Sequence, residues 1–139
     1  MNVERLAPYI YPVFRIVFGF LFLCHGLQKF GVFGGHTMPL VSRFGVAACI
    51  ETIGGVLIAI GLFTHVAAFI ASGEMAFAYF LSHYPRGFLP IQNQGEAAVL
   101  FCFAFLYISA RGAGGFSVDR RWASRANSFA RMISPTSIL

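Results

Sequence analysis

The chain has 139 residues, a formal net charge of +5 and an isoelectric point near 9.6. Hydrophobic residues make up 58% of it and charged residues only 11%, with a mean hydropathy of +0.73. A soluble domain of this length needs many more polar residues to cover its surface. The composition therefore excludes an ordinary soluble domain and predicts one integral membrane domain. The basic excess is attributed to a tail beside anionic lipid headgroups, not to nucleic-acid binding.

Apolar runs that approach the length of a membrane span occur at four places. The hydrocarbon core of a bilayer is about 30 Å thick, so a helix needs roughly 20 residues to cross it. The runs cover residues 9–30, 44–63, 66–84 and 95–110, and the fourth is the shortest. We therefore expect an all-α fold, with a four-transmembrane-helix bundle over residues 1–112. The first run is expected to stay as an anchor, because no small-residue cleavage site clearly follows it.

Residues 113–139 are predicted to form a basic cytoplasmic tail with a short amphipathic helix on the membrane surface. Its apolar residues recur at helical spacing, with Arg125 falling inside their stripe. They are Val118, Trp122, Ala126, Phe129 and Ile133.

The distribution of cations around the apolar runs predicts the orientation. Six cations lie on the side of the termini and three on the opposite side, and cytoplasmic segments carry the excess of Lys and Arg. Both termini are therefore expected in the cytoplasm and the chain in the inner membrane of the cell, as a multi-pass protein. The six are Arg5, Arg111, Arg120, Arg121, Arg125 and Arg131, and the three are Lys29, Arg43 and Arg86.

The first run carries a polar stripe inside an apolar helix. At about 100° per residue, Arg15, Gly19, Phe22, Gly26 and Lys29 fall on one face. In lipid such a face is expected to turn inward, towards other helices. An alternative for Arg15 alone is that its side chain reaches back to the cytoplasmic headgroups.

Three of the five acidic residues lie in or at the other runs, namely Glu51, Glu74 and Glu96. The depth of each charged residue, counted from the cytoplasmic end of its apolar run, predicts that these side chains form two layers within the membrane. An intramembrane ion pair of Arg15 with Glu74 forms the deep layer. Lys29 or His25 meets Glu51 and Glu96 in the outer layer. An alternative for Glu96 is that it only complements the positive end of the fourth helix.

Amides in the loop before the fourth run are expected at the outer mouth of the bundle, and Asn93 among them is a candidate ligand residue. Glu51 is the candidate proton relay, and no catalytic residue can be assigned. The candidate ligand-binding residues are His25, Lys29, Glu51, Asn93 and Glu96. The same charges can instead serve only to fix the helices in the bundle.

Other kinds of chemistry find little support in the sequence. The three cysteines lie on separate runs and form no CxxC pair, so the simplest signature of a thiol–disulfide enzyme is missing. The four histidines show no paired spacing of metal ligands, so no metal site is predicted. Phosphate-binding glycine loops and nucleophile elbows are also missing.

Four stretches in a fixed order resemble the DoxX family of small four-helix membrane proteins. They are HGLQK after the first-run arginine, ETIGG in the second run, NQGEAA entering the fourth, and GAGGFSVD after it. The resemblance covers residues 12–120. It implies a subunit of a membrane redox system that passes electrons from sulfur compounds such as thiosulfate to quinone.

By this resemblance, the outer polar layer is expected to bind a quinone-like or small sulfur-compound ligand. His25 and Lys29 would donate hydrogen bonds, and Glu51 would relay protons. No cofactor is expected to be bound covalently, and a redox partner protein must supply the electrons. Two alternatives remain open: a non-catalytic membrane scaffold or assembly factor, and a small proton-coupled carrier, for which a homo-oligomer is expected.

Overall fold

The computed structural model describes residues 3–133, with side chains for residues 5–129. Within this part of the chain all regular structure is helical and no strand occurs. Helix α1 is Ala7–Lys29, α2 is Arg43–Ile60, α3 is Thr64–Ala78, α4 is Pro90–Asn93, α5 is Glu96–Arg111 and α6 is Val118–Ile133. Shorter turns are the 3₁₀ segments Val3–Leu6, Val32–Gly34 and Tyr84–Arg86, and a π-helical turn, Tyr79–His83.

Three helical segments are long and apolar enough to cross a membrane: Ala7–Lys29, Arg43–Ile60 and Thr64–Arg86. Helix α5 has 16 residues and packs along α3. The prediction of an all-α membrane protein is confirmed, whereas the fourth span stays a prediction. Of the predicted tail, residues 134–139 lie outside the described part of the chain.

Helices α1 and α2 approach each other closely because glycines line their contact. A methyl group added at Gly19 would lie 2.6 Å from the backbone nitrogen of Ala59, so only glycine fits there. Gly19, Phe22 and Gly26 are buried together with Arg15. The inward orientation predicted for this stripe is confirmed.

Phenylalanine rings from α1 and α5 fill the centre of the bundle. Phe22 and Phe105 are fully buried with ring centroids 4.6 Å apart, and Phe101 stacks on Phe105 at 5.5 Å. On the other side of α5, the Ser72 hydroxyl of α3 donates to the Cys102 carbonyl at 2.8 Å. Large apolar side chains cover the outside of all the long helices, as a lipid-facing surface requires.

Candidate functional site

An ion pair between Lys29 and Glu51 joins α1 to α2. Lys29 is the last residue of α1, and Glu51 lies near the middle of α2 with only 1% of its surface exposed. It is the one salt bridge found in the described part of the chain. The sequence predicts Lys29 or His25 beside Glu51, and the structure brings Lys29 there.

Glu74 of α3 lies within electrostatic reach of both members of this pair. Atom Oε2 of Glu74 and atom Oε2 of Glu51 are buried, and neither has a hydrogen-bond partner within the protein. Two carboxylates and one ammonium group thus lie in the walls of the same pair of cavities. With all three ionised, they carry one net negative charge, which only an added proton or a cation cancels, and an unpaired charge in a membrane is expensive.

Two cavities meet at this cluster. The inner cavity, of about 220 Å³, lies inside the bundle, and the lateral groove, of about 550 Å³, lies between α2 and α3. Both are lined by Lys29, Phe44, Ala78 and Ser82, so they adjoin along these residues. Glu51 faces the inner cavity and Glu74 faces the lateral groove.

Both cavities have mainly apolar walls with polar residues among them: Lys29 and Ser82 are shared, the inner cavity adds His25, Glu51 and His83, and the groove adds Arg43 and Glu74. Beyond the shared residues, the inner cavity is lined by His25, Glu51, Met75, His83, Ala97, Ala98 and Phe101. The groove is lined by Arg43, Val46, Ala47, Ile50, Phe69, Ile70, Gly73, Glu74, Phe77 and Leu81.

Two residues of the inner cavity, Ser82 and His83, were missed by the sequence analysis. They reach it because α3 continues as the π-helical turn Tyr79–His83, which changes the direction of the side chains that follow. Atom Nδ1 of His83 lies 3.2 Å from the Asn93 carbonyl oxygen and 3.0 Å from Nη2 of Arg86. No periodicity in the sequence signals a π turn, and Pro85 marks only the end of the helix.

The other predicted ligand residues lie in different places. His25 lines the inner cavity, with its ring edge-on to Phe101 at 5.6 Å. Asn93 is fully buried, but its amide is used in the loop: it donates to the Gly87 carbonyl at 2.6 Å and accepts from the Gly95 amide at 2.8 Å. Asn93 is thus a loop-forming residue that lines neither cavity.

Glu96 is the first residue of α5, and it is exposed on the outside of the bundle. It lines neither cavity, so the predicted closure of the outer polar layer by Glu96 is wrong. Its position in the first turn corresponds to the alternative interpretation, in which a carboxylate complements the positive end of a helix.

The structure contradicts the predicted ion pair between Arg15 and Glu74. Arg15 is fully buried and donates to the carbonyls of Ile58 and Ala59, the latter at 2.7 Å, and of Phe116 at 3.0 Å. Its guanidinium therefore covers the last turn of α2, where carbonyls are unsatisfied and the helix end is negative.

The offset between neighbouring helices explains why Arg15 and Glu74 lie at different depths. The last turn of α2 is followed closely by the start of α3 at Thr64, so Arg15 lies level with the first turn of α3. Glu74 lies about 15 Å further along α3, at a rise of about 1.5 Å per residue. The lengths of the apolar runs carry no information on this offset between neighbouring helices.

Asp119, in the first turn of α6, holds the start of α3. It accepts from the Phe63 amide at 2.9 Å and from the Thr64 amide and hydroxyl at 3.0 Å each. Burial alone would raise the pKa of Asp119, but the hydrogen bonds from Thr64 and Phe63 outweigh it and lower that pKa below its usual value. This contact, together with Arg15 and the Phe116 carbonyl, fastens the end of the GAGGFSVD stretch to the bundle.

The described residues offer no cluster of three or more His, Cys, Asp or Glu side chains that could bind a metal ion. Cys24, Cys49 and Cys102 are free thiols on three different helices. Lys29, Ser82 and His83 offer hydrogen-bonding groups in the wall of the inner cavity, which Glu51 also lines.

Comparison with known proteins gives a family and two relatives. The model of the DoxX family matches residues 11–84, which is more than half of the chain. An uncharacterized protein of Haemophilus influenzae is 41% identical over 129 residues, which cover 87% of this chain and 96% of that protein. An uncharacterized membrane protein of Mycobacterium tuberculosis is 30% identical over 133 residues, with 81% and 80% covered. No solved structure matches significantly.

Proposed function

Because the chain belongs to the DoxX family, we propose that this membrane protein binds the head of a quinone-type lipid in the inner cavity, as a subunit of a membrane redox system. One observation carries the proposal. Glu51 at the inner cavity and Glu74 at the lateral groove each have a buried oxygen without a donor in the protein, and the ammonium group of Lys29, which lines both cavities, is paired with Glu51 alone. A small molecule that both accepts and donates hydrogen bonds would satisfy all three groups.

The orphaned atoms favour the hydroxyl-bearing form of such a head. Atom Oε2 of Glu51 and atom Oε2 of Glu74 accept hydrogen bonds when ionised, and a carbonyl oxygen cannot supply the proton that they need. A quinol hydroxyl can. Lys29 can donate to an oxygen of either form, so the residues present fit a quinone-type head and fit its reduced form better.

The lateral groove supplies the place for an apolar tail. Its volume of about 550 Å³ lies in the range of binding pockets for small organic molecules, and its walls are mainly aliphatic and aromatic, with Lys29, Arg43, Glu74 and Ser82 as the polar residues. It opens along α2 and α3 next to the lipid-facing surface. A head in the inner cavity and a tail in the groove would meet at Lys29 and Phe44, which line both.

A bound quinone-type lipid would supply the redox chemistry, and the chain would supply binding and proton exchange. Lys29 would orient the head through a hydrogen bond. Glu51 or Glu74 would accept the proton that leaves a hydroxyl, and the cluster would then hold it in place of the missing positive charge. Electrons would pass to and from a partner protein, since nothing in this chain carries them.

The proposal includes the topology. Helix α5 serves as a fourth span beside α3, both termini lie in the cytoplasm, and the membrane is the inner membrane. The excess of arginines after α5 supports this orientation. The bundle end with Arg15 and Asp119 is then cytoplasmic, and the mouth of the inner cavity at His25 and His83 faces outward.

Two other functions lead to different results in the same experiments. In a scaffold, the Lys29–Glu51 pair would serve only to hold α1 against α2. In a proton-coupled carrier, the second carboxylate, Glu74, would titrate while substrate crosses the membrane, and a dimer would be required. A ligand that stabilises the protein separates binding from the scaffold, and uptake into proteoliposomes identifies the carrier.

The test uses the purified protein in lipid nanodiscs with a short-tail ubiquinol and the matching ubiquinone as probes. At a free concentration of about 100 times Kd, a ligand raises the stability of the folded state by about 2.7 kcal/mol. We expect a higher melting temperature with the quinol than with the quinone. Glu51→Gln should lose most of this response, because it removes the charge at nearly constant shape.

Glu96→Gln is the matched control, because the same change is made at an exposed carboxylate outside both cavities. It should respond to the quinol as the wild type does. Ser82→Ala gives a second variant in the cavity wall that keeps the Lys29–Glu51 pair. If neither probe alters the melting temperature of the wild type, the binding proposal is refuted.

A further inference from the structure

We propose that α6 binds the surface of an anionic membrane, with arginine side chains contacting lipid phosphates along one edge of its apolar stripe. This surface is separate from both cavities and independent of the quinone proposal. Trp122 and Phe129 of α6 are 55% and 62% exposed, although both are large and apolar. The bundle itself does not cover them.

The start of α6 is fixed at the end of the bundle where α1 begins. Asp119, in the first turn of α6, is bonded to the start of α3, and its own amide donates to the Gly61 carbonyl at 3.0 Å. One turn later, the ring of Trp122 meets the ring of Phe63 edge-on at 6.4 Å. Since α3 begins a membrane span at this level, α6 leaves the bundle at the boundary between hydrocarbon and water.

The faces of α6 have the arrangement that an interfacial helix needs. At about 100° per residue, Val118, Trp122 and Phe129 lie within about 40° of one another. Arg125 and Arg121 follow along one edge of this stripe, so their guanidinium groups can reach headgroups while the aromatic rings enter the acyl region. Arg120 points to the opposite side of the helix.

The charge of α6 indicates whether its apolar face contacts a lipid surface or a second copy of the helix. Among the side chains of α6 that the structure describes, three arginines stand against one acid, and that acid is already bonded to α3. A second copy of α6 would bring the same positive charge and be repelled. An anionic lipid surface offers phosphates to the arginines and an apolar layer to the rings, so it complements both parts of the face.

The test places a tryptophan on the half of α6 that lies away from its anchor. The chain has one tryptophan, so the double variant Trp122→Phe, Phe129→Trp moves the only indole to position 129. The full-length variant is reconstituted into vesicles of phosphatidylcholine and into vesicles of phosphatidylcholine and phosphatidylglycerol in equal amounts. Quenching by lipids with brominated acyl chains then measures insertion.

We expect stronger quenching and emission at shorter wavelength in the anionic vesicles, and salt should reduce the difference. When Arg121→Gln or Arg125→Gln is added to this tryptophan variant, each should lower the ratio of inserted to free helix about fivefold at low salt. Arg120→Gln, on the opposite face, should lower it less. Circular dichroism in detergent checks that each variant remains helical.

Equal quenching in the two kinds of vesicle would overturn the proposal, and so would emission typical of water in both. If quenching or emission follows the density of protein in the membrane and ignores lipid charge, the face contacts a second copy, and the lipid assignment is equally wrong. A quenching difference that Arg120→Gln abolishes as fully as Arg125→Gln would also reject it, because the effect would then not depend on the edge of the stripe.

Discussion

Replacing Asp119 by alanine should destabilise the bundle by about 2 to 3 kcal/mol, although Asp119 follows the last helix of the bundle. The change removes a helix cap, which costs about 1 kcal/mol, and a negative charge at a helix N-terminus, which costs about 0.5 kcal/mol. It also leaves the buried hydroxyl of Thr64 without its acceptor, at about 1 kcal/mol. Asp119→Asn keeps one acceptor oxygen and should cost about 1 kcal/mol.

The assay is unfolding by sodium dodecyl sulfate in mixed micelles, followed by the fluorescence of Trp122. That ring lies against Phe63, so its emission reports the same junction that Asp119 holds. Arg120→Gln is the control, since it changes the charge of the neighbouring residue at an exposed position. A cost below about 0.5 kcal/mol for the alanine variant would show that α3 begins in the same way without this carboxylate.

Acid should remove the same contribution. Since the pKa of Asp119 is lower in the folded protein, the unfolded chain takes up the proton first as the pH falls. The stability advantage of the wild type over Asp119→Asn should be complete above the unfolded pKa of about 3.9 and should disappear as the pH falls through the lower folded value. An advantage that does not change with acid would refute the charge-based reasoning.

Further substitutions test the packing and the ion pair. Arg15→Leu should cost about 3 kcal/mol or more in the same assay, because buried carbonyls lose a charged donor. Gly19→Val should cost about 1 to 3 kcal/mol by overpacking against α2, whereas Gly73→Ala, where an added methyl meets nothing within 4 Å, should be neutral or stabilising. Lys29→Ala should cost about 3 kcal/mol, and Glu51→Ala in the same chain should recover part of it. Costs that simply add would show that the two side chains do not interact.

The faces of the helices could be predicted from the sequence because they depend on the periodicity of a single helix. The buried stripe of α1 follows from residue spacing alone, and the glycines within it mark the contact with α2. Each of these inferences uses residues of one helix and the side of it that lipid disfavours. The placement of Glu51 beside Lys29 or His25 instead depends on depth counted along two helices, and the structure brings Lys29 there.

The features that the sequence does not predict correctly are the offsets between neighbouring helices and the change from an α-helix to a π turn. The sequence pairs Arg15 with Glu74 because the two residues lie at similar distances from the ends of their runs. In the structure, α1 is shifted along α2 so that Arg15 lies at the last turn of α2, away from the level of Glu74. Ser82 and His83 face the cavity only because the helix there has a π turn. Tertiary packing sets both features, and neither has a local sequence signature.

The two cations of α1 are satisfied to different degrees, and this difference locates the site. Arg15 donates hydrogen bonds to three backbone carbonyls through its two terminal nitrogens, so fixed dipoles match most of its positive charge, whereas its Nε is buried without an acceptor within the protein. Lys29 receives one carboxylate, while a second carboxylate nearby lacks any donor. A purely structural charge network is expected to satisfy most of its polar atoms, and the guanidinium of Arg15 lacks a partner only at Nε. The residues of the cluster at Lys29 line two cavities, and the proposed ligand or an added proton would supply the donors that its two carboxylate oxygens lack.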